Sequence, residues 1–230
     1  MPMRTPSPAE LAARIDHTLL RPDATQAQIA QLCAEAAQHR FASVCVPPAF
    51  VRFAVEELYG TGVPVCTVVG FPLGYQIAKV KFFEAHQALT DGAREIDVVM
   101  NIAAFKSGQL EEVEEELGQL TELCRFKNAL LKVIIETALL SEEEIITACQ
   151  LCAEAGVDFV KTSTGFASRG ASVDDIVLMR RHLPAQIRIK AAGGIRTRTA
   201  ALALVAAGAD RLGSSNSVAL LQPDETPATS

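Results

Sequence analysis

Apolar, β-branched runs alternate with helical patterns along almost the whole chain. The runs predict eight strands: Ile15–Leu19, Phe41–Val46, Val63–Phe71, Glu95–Ile102, Leu130–Thr137, Phe159–Thr164, Ile187–Ala192 and Arg211–Ser214. Helix signals fill the gaps between them. Thr25-x-x-Gln28 and Ser141-x-x-Glu144 read as capping boxes, and Ser172-x-x-Asp175 as a looser form. Ser7-Pro8 followed by Glu10 predicts a short N-terminal helix with proline in its first turn. After Ser141, the positions Ile145, Ala148, Cys152 and Ala155 form one apolar face at helical spacing. Three helices end on a similar phrase, Asp91-Gly92-Ala93, Ala155-Gly156-Val157 and Ala207-Gly208-Ala209, where glycine supplies a left-handed stop. This is a repeated βα unit of the α/β class, and eight units close into a (β/α)8 TIM barrel with a short N-terminal helix. A doubly wound open sheet is the alternative, but no G-x-G-x-x-G follows the first strand.

Strand side chains alternate between two faces, and in a barrel the outer face packs under helices. Ile187 and Ile189 suit that helix layer, which turns Arg188 and Lys190 inward. Ile96, Val98 and Met100 likewise leave Asp97, Val99 and Asn101 facing in. Val160 and Thr162 leave Phe159, Lys161 and Ser163 inside, and Asp16 shares a face with Thr18. Two lysines and two aspartates thus enter one barrel, with Lys161 and Lys190 on strands about 4.8 Å apart. Two like charges that close are costly unless one is neutral or carboxylates compensate. A structural salt-bridge core would explain any one of these residues. All four together, at the end of a barrel where its sites lie, point to chemistry. The chemistry such a cluster suits is Schiff-base formation, with one lysine attacking as free amine, the other keeping it neutral, and a carboxylate moving protons.

Composition narrows the classes. The chain has 230 residues, 49% of them hydrophobic and 21% charged, which is globular rather than disordered. A single barrel domain over 1–230 accounts for that length, with loose tails expected at 1–5 and 222–230. A net charge of −6 argues against a nucleic-acid partner. No apolar stretch is long enough for a membrane span, and the N-terminal residues lack a signal-peptide core, so a cytoplasmic location is expected. Six scattered cysteines then read as free thiols.

Two glycine-rich segments follow the seventh and eighth strands: Ala192-Gly193-Gly194-Ile195-Arg196 and Leu212-Gly213-Ser214-Ser215-Asn216. Each is expected to open a helix, and phosphate sites in such barrels often occupy these loops. Thr164-Gly165 adds to the same cup. The substrate expected is a small phosphorylated compound. No metal site is expected, because His17, His39, His86 and His182 lie far apart and no zinc spacing occurs. Cys149-x-x-Cys152 falls mid-helix and reads as core packing. The acids of Glu111–Glu116 read as a solvated helix face. Cys45 ends the second strand and is given no catalytic role.

Three segments carry a resemblance: Val160-Lys161-Thr162-Ser163-Thr164-Gly165, Ile189-Lys190-Ala191-Ala192-Gly193-Gly194-Ile195-Arg196 and Glu95-Ile96-Asp97-Val98-Val99. With Ile15-Asp16-His17-Thr18-Leu19-Leu20, Val44-Cys45-Val46 and Thr67–Gly74, they closely resemble the 2-deoxyribose-5-phosphate aldolase family over residues 11–221. The resemblance implies a metal-free class I aldolase, without cofactor, that reversibly cleaves 2-deoxy-D-ribose 5-phosphate to acetaldehyde and D-glyceraldehyde 3-phosphate. It implies Lys161 as Schiff-base lysine, Lys190 as the partner that lowers its pKa, Asp97 as proton-transfer acid and Asp16 in support. Thr164, Gly165, Gly193, Gly194, Arg196, Gly213 and Ser215 would hold the substrate, chiefly its phosphate. Relatives usually carry a small residue in place of Asn216, many an asparagine in place of Pro47, and some a lysine in place of Phe166. One phosphate contact is then lost or supplied by Arg196 or Arg169. A transaldolase-like enzyme on another phosphosugar and a non-catalytic sugar-phosphate binder are the competing readings. A homodimer is the assembly this class suggests.

Overall fold

The computed structural model describes residues 5–224. Eight parallel strands close into one barrel in sequence order. They are β1 (Ile15–Thr18), β2 (Ser43–Val46), β3 (Val65–Val69), β4 (Glu95–Val99), β5 (Leu130–Ile134), β6 (Phe159–Lys161), β7 (Arg188–Ala192) and β8 (Arg211–Ser214). Closure is made by β1 and β8, with Ile15 opposite Leu212 and His17 opposite Ser214. The helices are α1 (Pro8–Ala12), α2 (Gln26–His39), α3 (Val51–Glu57), α4 (Ala78–Thr90) and α5 (Ile102–Lys106). They continue with α6 (Leu110–Phe126), α7 (Glu142–Glu154), α8 (Val173–His182), α9 (Arg198–Ala207) and α10 (Ser217–Leu220). All eight predicted strands are present, most of them shorter than their apolar runs.

The predicted caps form. Ser7, Thr25 and Ser141 each make a full capping box, while Ser172 accepts the Asp175 amide without the reciprocal bond. Gly92, Gly156 and Gly208 all take positive φ where their helices turn into the next strand. The apolar face of α7 is buried, including Cys149 and Cys152. Between barrel and helices runs one continuous apolar layer, from Ile15 and Ile96 to Val160, Ile189 and Leu212.

Two expectations give way. The fourth strand stops at Val99, and Asn101 turns out of it to cap α5, its Oδ1 accepting the Ala104 amide at 3.1 Å. Asn101 therefore does not face the barrel interior. The acidic run of α6 is not wholly solvated either. Glu116 lies buried and accepts from Lys81 Nζ at 2.7 Å, and Lys81 also donates to the Val99 carbonyl at 2.8 Å. An acidic run longer than one helical turn puts one member on the inner face.

The first and last described segments meet on α9. Arg198 donates to the Pro6 carbonyl at 3.4 Å and to the Leu221 carbonyl at 2.8 Å. Its amide and that of Thr199 both donate to the Asp224 carboxylate, at 2.7 and 2.9 Å. Of the expected tails, 1–4 and 225–230 lie outside the described residues.

Candidate active site

Six of the strands send charged side chains into the barrel, and β4 sends two. β4 supplies Asp97, which is fully buried. Its Oδ2 accepts from Lys161 Nζ of β6 and from Lys190 Nζ of β7, both at 2.7 Å. Those lysines are register partners on neighbouring strands. Its Oδ1 accepts from Lys132 Nζ of β5 at 2.8 Å and from the Cys66 thiol of β3 at 3.2 Å. One layer deeper, Asp16 of β1 pairs with Lys190 at 2.5 Å and with Arg211 of β8 at 2.5 Å. Glu95 lies 2.6 Å from Lys132 and 3.4 Å from Arg211. Phe159, the first residue of β6, is buried, with the Arg188 guanidinium stacked 4.0 Å from its ring centre.

Strand alternation thus predicts the meeting of Asp16, Asp97, Lys161 and Lys190, but not that of Lys132, Glu95 and Arg211 with them. The signal was available. Lys132 is a lone charge in the apolar run Leu130–Ile134, and Arg211 opens β8. With these added, four cations face three carboxylates in one linked cluster. One positive charge is in excess.

Burial by itself would raise Asp97. Lys132, Lys161 and Lys190 outweigh it and hold the carboxyl well below its ordinary value. Asp16 is held down in the same way by Lys190, Lys132 and Arg211. Burial would lower Lys190, but Asp16 and Asp97 carry it above the usual lysine value. Lys132 is raised too, against burial, chiefly by Asp97. Lys161 differs in its surroundings. Among the described residues it pairs with Asp97 alone, and it lines a cavity.

That cavity, of about 340 Å³, opens at the carboxyl ends of the strands. Lys161 forms its floor with Thr18, and Leu20 and Arg21 form one flank. Thr164, Gly165, Gly193, Gly194, Arg196, Gly213 and Ser215 all line it, as do Phe166 and Asn216. The two glycine loops are stitched together: Ser214 Oγ donates to the Ile195 carbonyl at 3.0 Å, and Asn216 Nδ2 to the Arg196 carbonyl at 3.2 Å. Asn216 therefore ties one loop to the other. The Gly193–Arg196 segment does not itself open a helix, because α9 starts at Arg198 with Thr197 as its cap. Arg169 lies outside the cup, paired with Asp175 and donating to the Thr137 carbonyl at 2.8 Å. Gly170, unremarked in the sequence, sits so close to Gly193 that a Cβ would fall 2.1 Å from the Gly193 carbonyl oxygen. Only glycine permits that approach of the loops after β6 and β7.

The thiols of Cys45 and Cys66 and the Asp97 carboxylate converge within 4.8 Å. Three ammonium groups already occupy both Asp97 oxygens. A divalent cation would have to displace them, so the donor set suits hydrogen bonding rather than a metal.

A family model described as DeoC/LacD family aldolase matches residues 11–216. The chain belongs to that family. Among its relatives, the deoxyribose-phosphate aldolase of Bacillus mycoides is 48% identical over 219 residues, covering 95% of this chain and 98% of that one. That of a Geobacillus species is 49% identical over 212 residues, covering 92% and 95%. Among solved structures, a putative deoxyribose-phosphate aldolase from Coccidioides immitis superposes with a TM-score of 0.91 at 41% identity, covering 95% and 87%. The tetrameric deoxyribose phosphate aldolase of Aeropyrum pernix gives 0.88 at 35%, covering 94% and 91%. In this chain Lys161 of the charged cluster and the two glycine loops line one cavity.

Proposed function

We propose that the protein is a class I deoxyribose-phosphate aldolase, cleaving 2-deoxy-D-ribose 5-phosphate reversibly to acetaldehyde and D-glyceraldehyde 3-phosphate. The observation that carries this is the position of Lys161. Its Nζ shares one Asp97 oxygen with Lys190, 2.7 Å from each, at the floor of a cavity walled by two glycine loops. Among the described residues Lys161 pairs with Asp97 alone, whereas Lys190 is clasped by two carboxylates.

Lys161 Nζ then attacks C1 of the open-chain sugar, and loss of water gives an iminium. A proton leaves the C3 hydroxyl, the C2–C3 pair moves into the iminium, and C3 departs as the aldehyde of glyceraldehyde 3-phosphate. The enamine left on Lys161 takes a proton at C2, and water releases acetaldehyde. Asp97 touches both amines and is the group placed to pass these protons, each step contributing ~10²–10⁴-fold. Asp16 holds Lys190 from below. Gly193, Gly194, Arg196, Gly213 and Ser215 form the phosphate end.

The partners of this reading are the sugar phosphate, the two aldehydes and a second copy of the chain. The Aeropyrum pernix relative is described as tetrameric, and a homodimer is the simplest such assembly. Among the described residues no helix is long and apolar enough to cross a membrane, which fits the cytoplasmic location proposed. Borohydride reduction with acetaldehyde tests the reading. An ethyl adduct on Lys161, absent in Lys161→Leu and weakened in Lys190→Leu, is expected by peptide mapping. An adduct on Lys190 would reverse the assignment, and no adduct on folded protein would end it.

A further inference from the structure

One buried carboxylate beside the cavity has no part in the chemistry above. Glu136 follows β5 in a left-handed conformation, with φ 53° and ψ 70°, which a residue with a Cβ seldom adopts. The residue is 3% exposed. Its Oε2 accepts the Thr164 amide at 3.1 Å and also the Thr164 hydroxyl. Its Oε1 has no hydrogen-bond partner among the described residues. The Thr164 hydroxyl oxygen in turn accepts the Phe166 amide at 3.1 Å.

A carboxylate only accepts, and a hydroxyl has one proton and two lone pairs. Both Thr164 donors are therefore committed to Glu136. Phe166 takes one lone pair of the hydroxyl, and the other is what remains for the cavity that Thr164 lines. A phosphate dianion offers acceptors only, so this hydroxyl does not serve it. A sugar hydroxyl can donate to it. The C3 oxygen becomes a carbonyl during cleavage and then needs a donor. The C4 oxygen, which becomes the C2 oxygen of glyceraldehyde 3-phosphate, stays a hydroxyl in both directions.

We propose that Glu136 is a positioning residue that fixes the polarity of the Thr164 hydroxyl, so that Thr164 accepts from the hydroxyl next to the aldehyde of the acceptor and selects α-hydroxylated aldehydes. The proposal rests on the aldolase reading and deepens it. A site with a committed acceptor rejects the analogue that leaves it unpaired.

The test is condensation of acetaldehyde with D-glyceraldehyde 3-phosphate and with 3-oxopropyl phosphate, which lacks that hydroxyl. The native protein should favour the first by about tenfold or more in kcat/KM, the scale of one hydrogen bond. Glu136→Gln can donate its amide proton to Thr164 and free the hydroxyl, and should bring the ratio close to one. Thr164→Ser should keep the preference and Thr164→Val should lose it. If Glu136→Gln slows both acceptors equally, or Thr164→Val keeps the preference, the proposal is overturned. Acetaldehyde trapping on each protein separates the two readings. No adduct on the native protein defeats the aldolase assignment, whereas a Lys161 adduct with an unmoved ratio defeats only the role of Glu136. Should Glu136→Gln fail to fold, the two Thr164 variants decide.

Discussion

Asp97 holds three ammonium groups and a thiol on two oxygens, and removing its charge touches both chemistry and stability. Asp97→Asn is expected to slow acetaldehyde adduct formation at least ~10²-fold, the scale of a lost proton-transfer group. Because Asp97 and Asp16 are held down, their stabilisation is complete above the ordinary carboxylate value of about 4 and is lost as pH falls through their folded values. Lys190 and Lys132 are held up, so theirs is complete below about 10.4 and is lost as pH rises through their folded values. Urea titrations from pH 7 to pH 3 should show a shallower acid loss in Asp97→Asn than in the native protein. An unchanged slope would mean that Asp97 does not couple to folding. At this scale Asp16, Asp97, Lys161 and Lys190 were legible, since each is a charge on the face that apolar neighbours leave free. Lys132 obeys the same rule. Its partners were not legible, because which positions share a barrel layer depends on strand register, such as Asp97 opposite Lys132. Glu136 gave no signal, since its role comes from a backbone conformation and a contact made across 28 residues.

Among elements, the caps and stops were readable because they are local. Ser141-x-x-Glu144 and Gly208 need no information beyond their own turn. Strand ends were less so: Asn101 continues an apolar run, yet its side chain starts α5. The Lys81–Glu116 pair lies beyond local reading, for it joins α4 to α6 over the end of β4. Burial raises Glu116 and lowers Lys81, each eased by the other. Lys81→Met strands a buried carboxylate and is expected to cost about 3 kcal/mol in urea unfolding at neutral pH. Most of that should return when Glu116→Leu is added. If the single and double variants unfold alike, the pair contributes nothing as a pair.

For the molecule as a whole, the repeated βα unit carried the architecture, and eight units left one closed solution. What repetition could not give was the cyclic order of side chains inside, because that is fixed only when β1 meets β8. Closure also has a consequence for the linear order of the chain. Pro6 and Asp224 both rest on Arg198, so the ring has a seam that a short linker can bridge. A circular permutant joining 224 to 6 and opened at Gly108, in the exposed turn between α5 and α6, should still form the Lys161 ethyl adduct. One opened between Val160 and Lys161 should not. Such a result would mean that the closed ring of strands, rather than the order in which they follow one another along the chain, holds the barrel together.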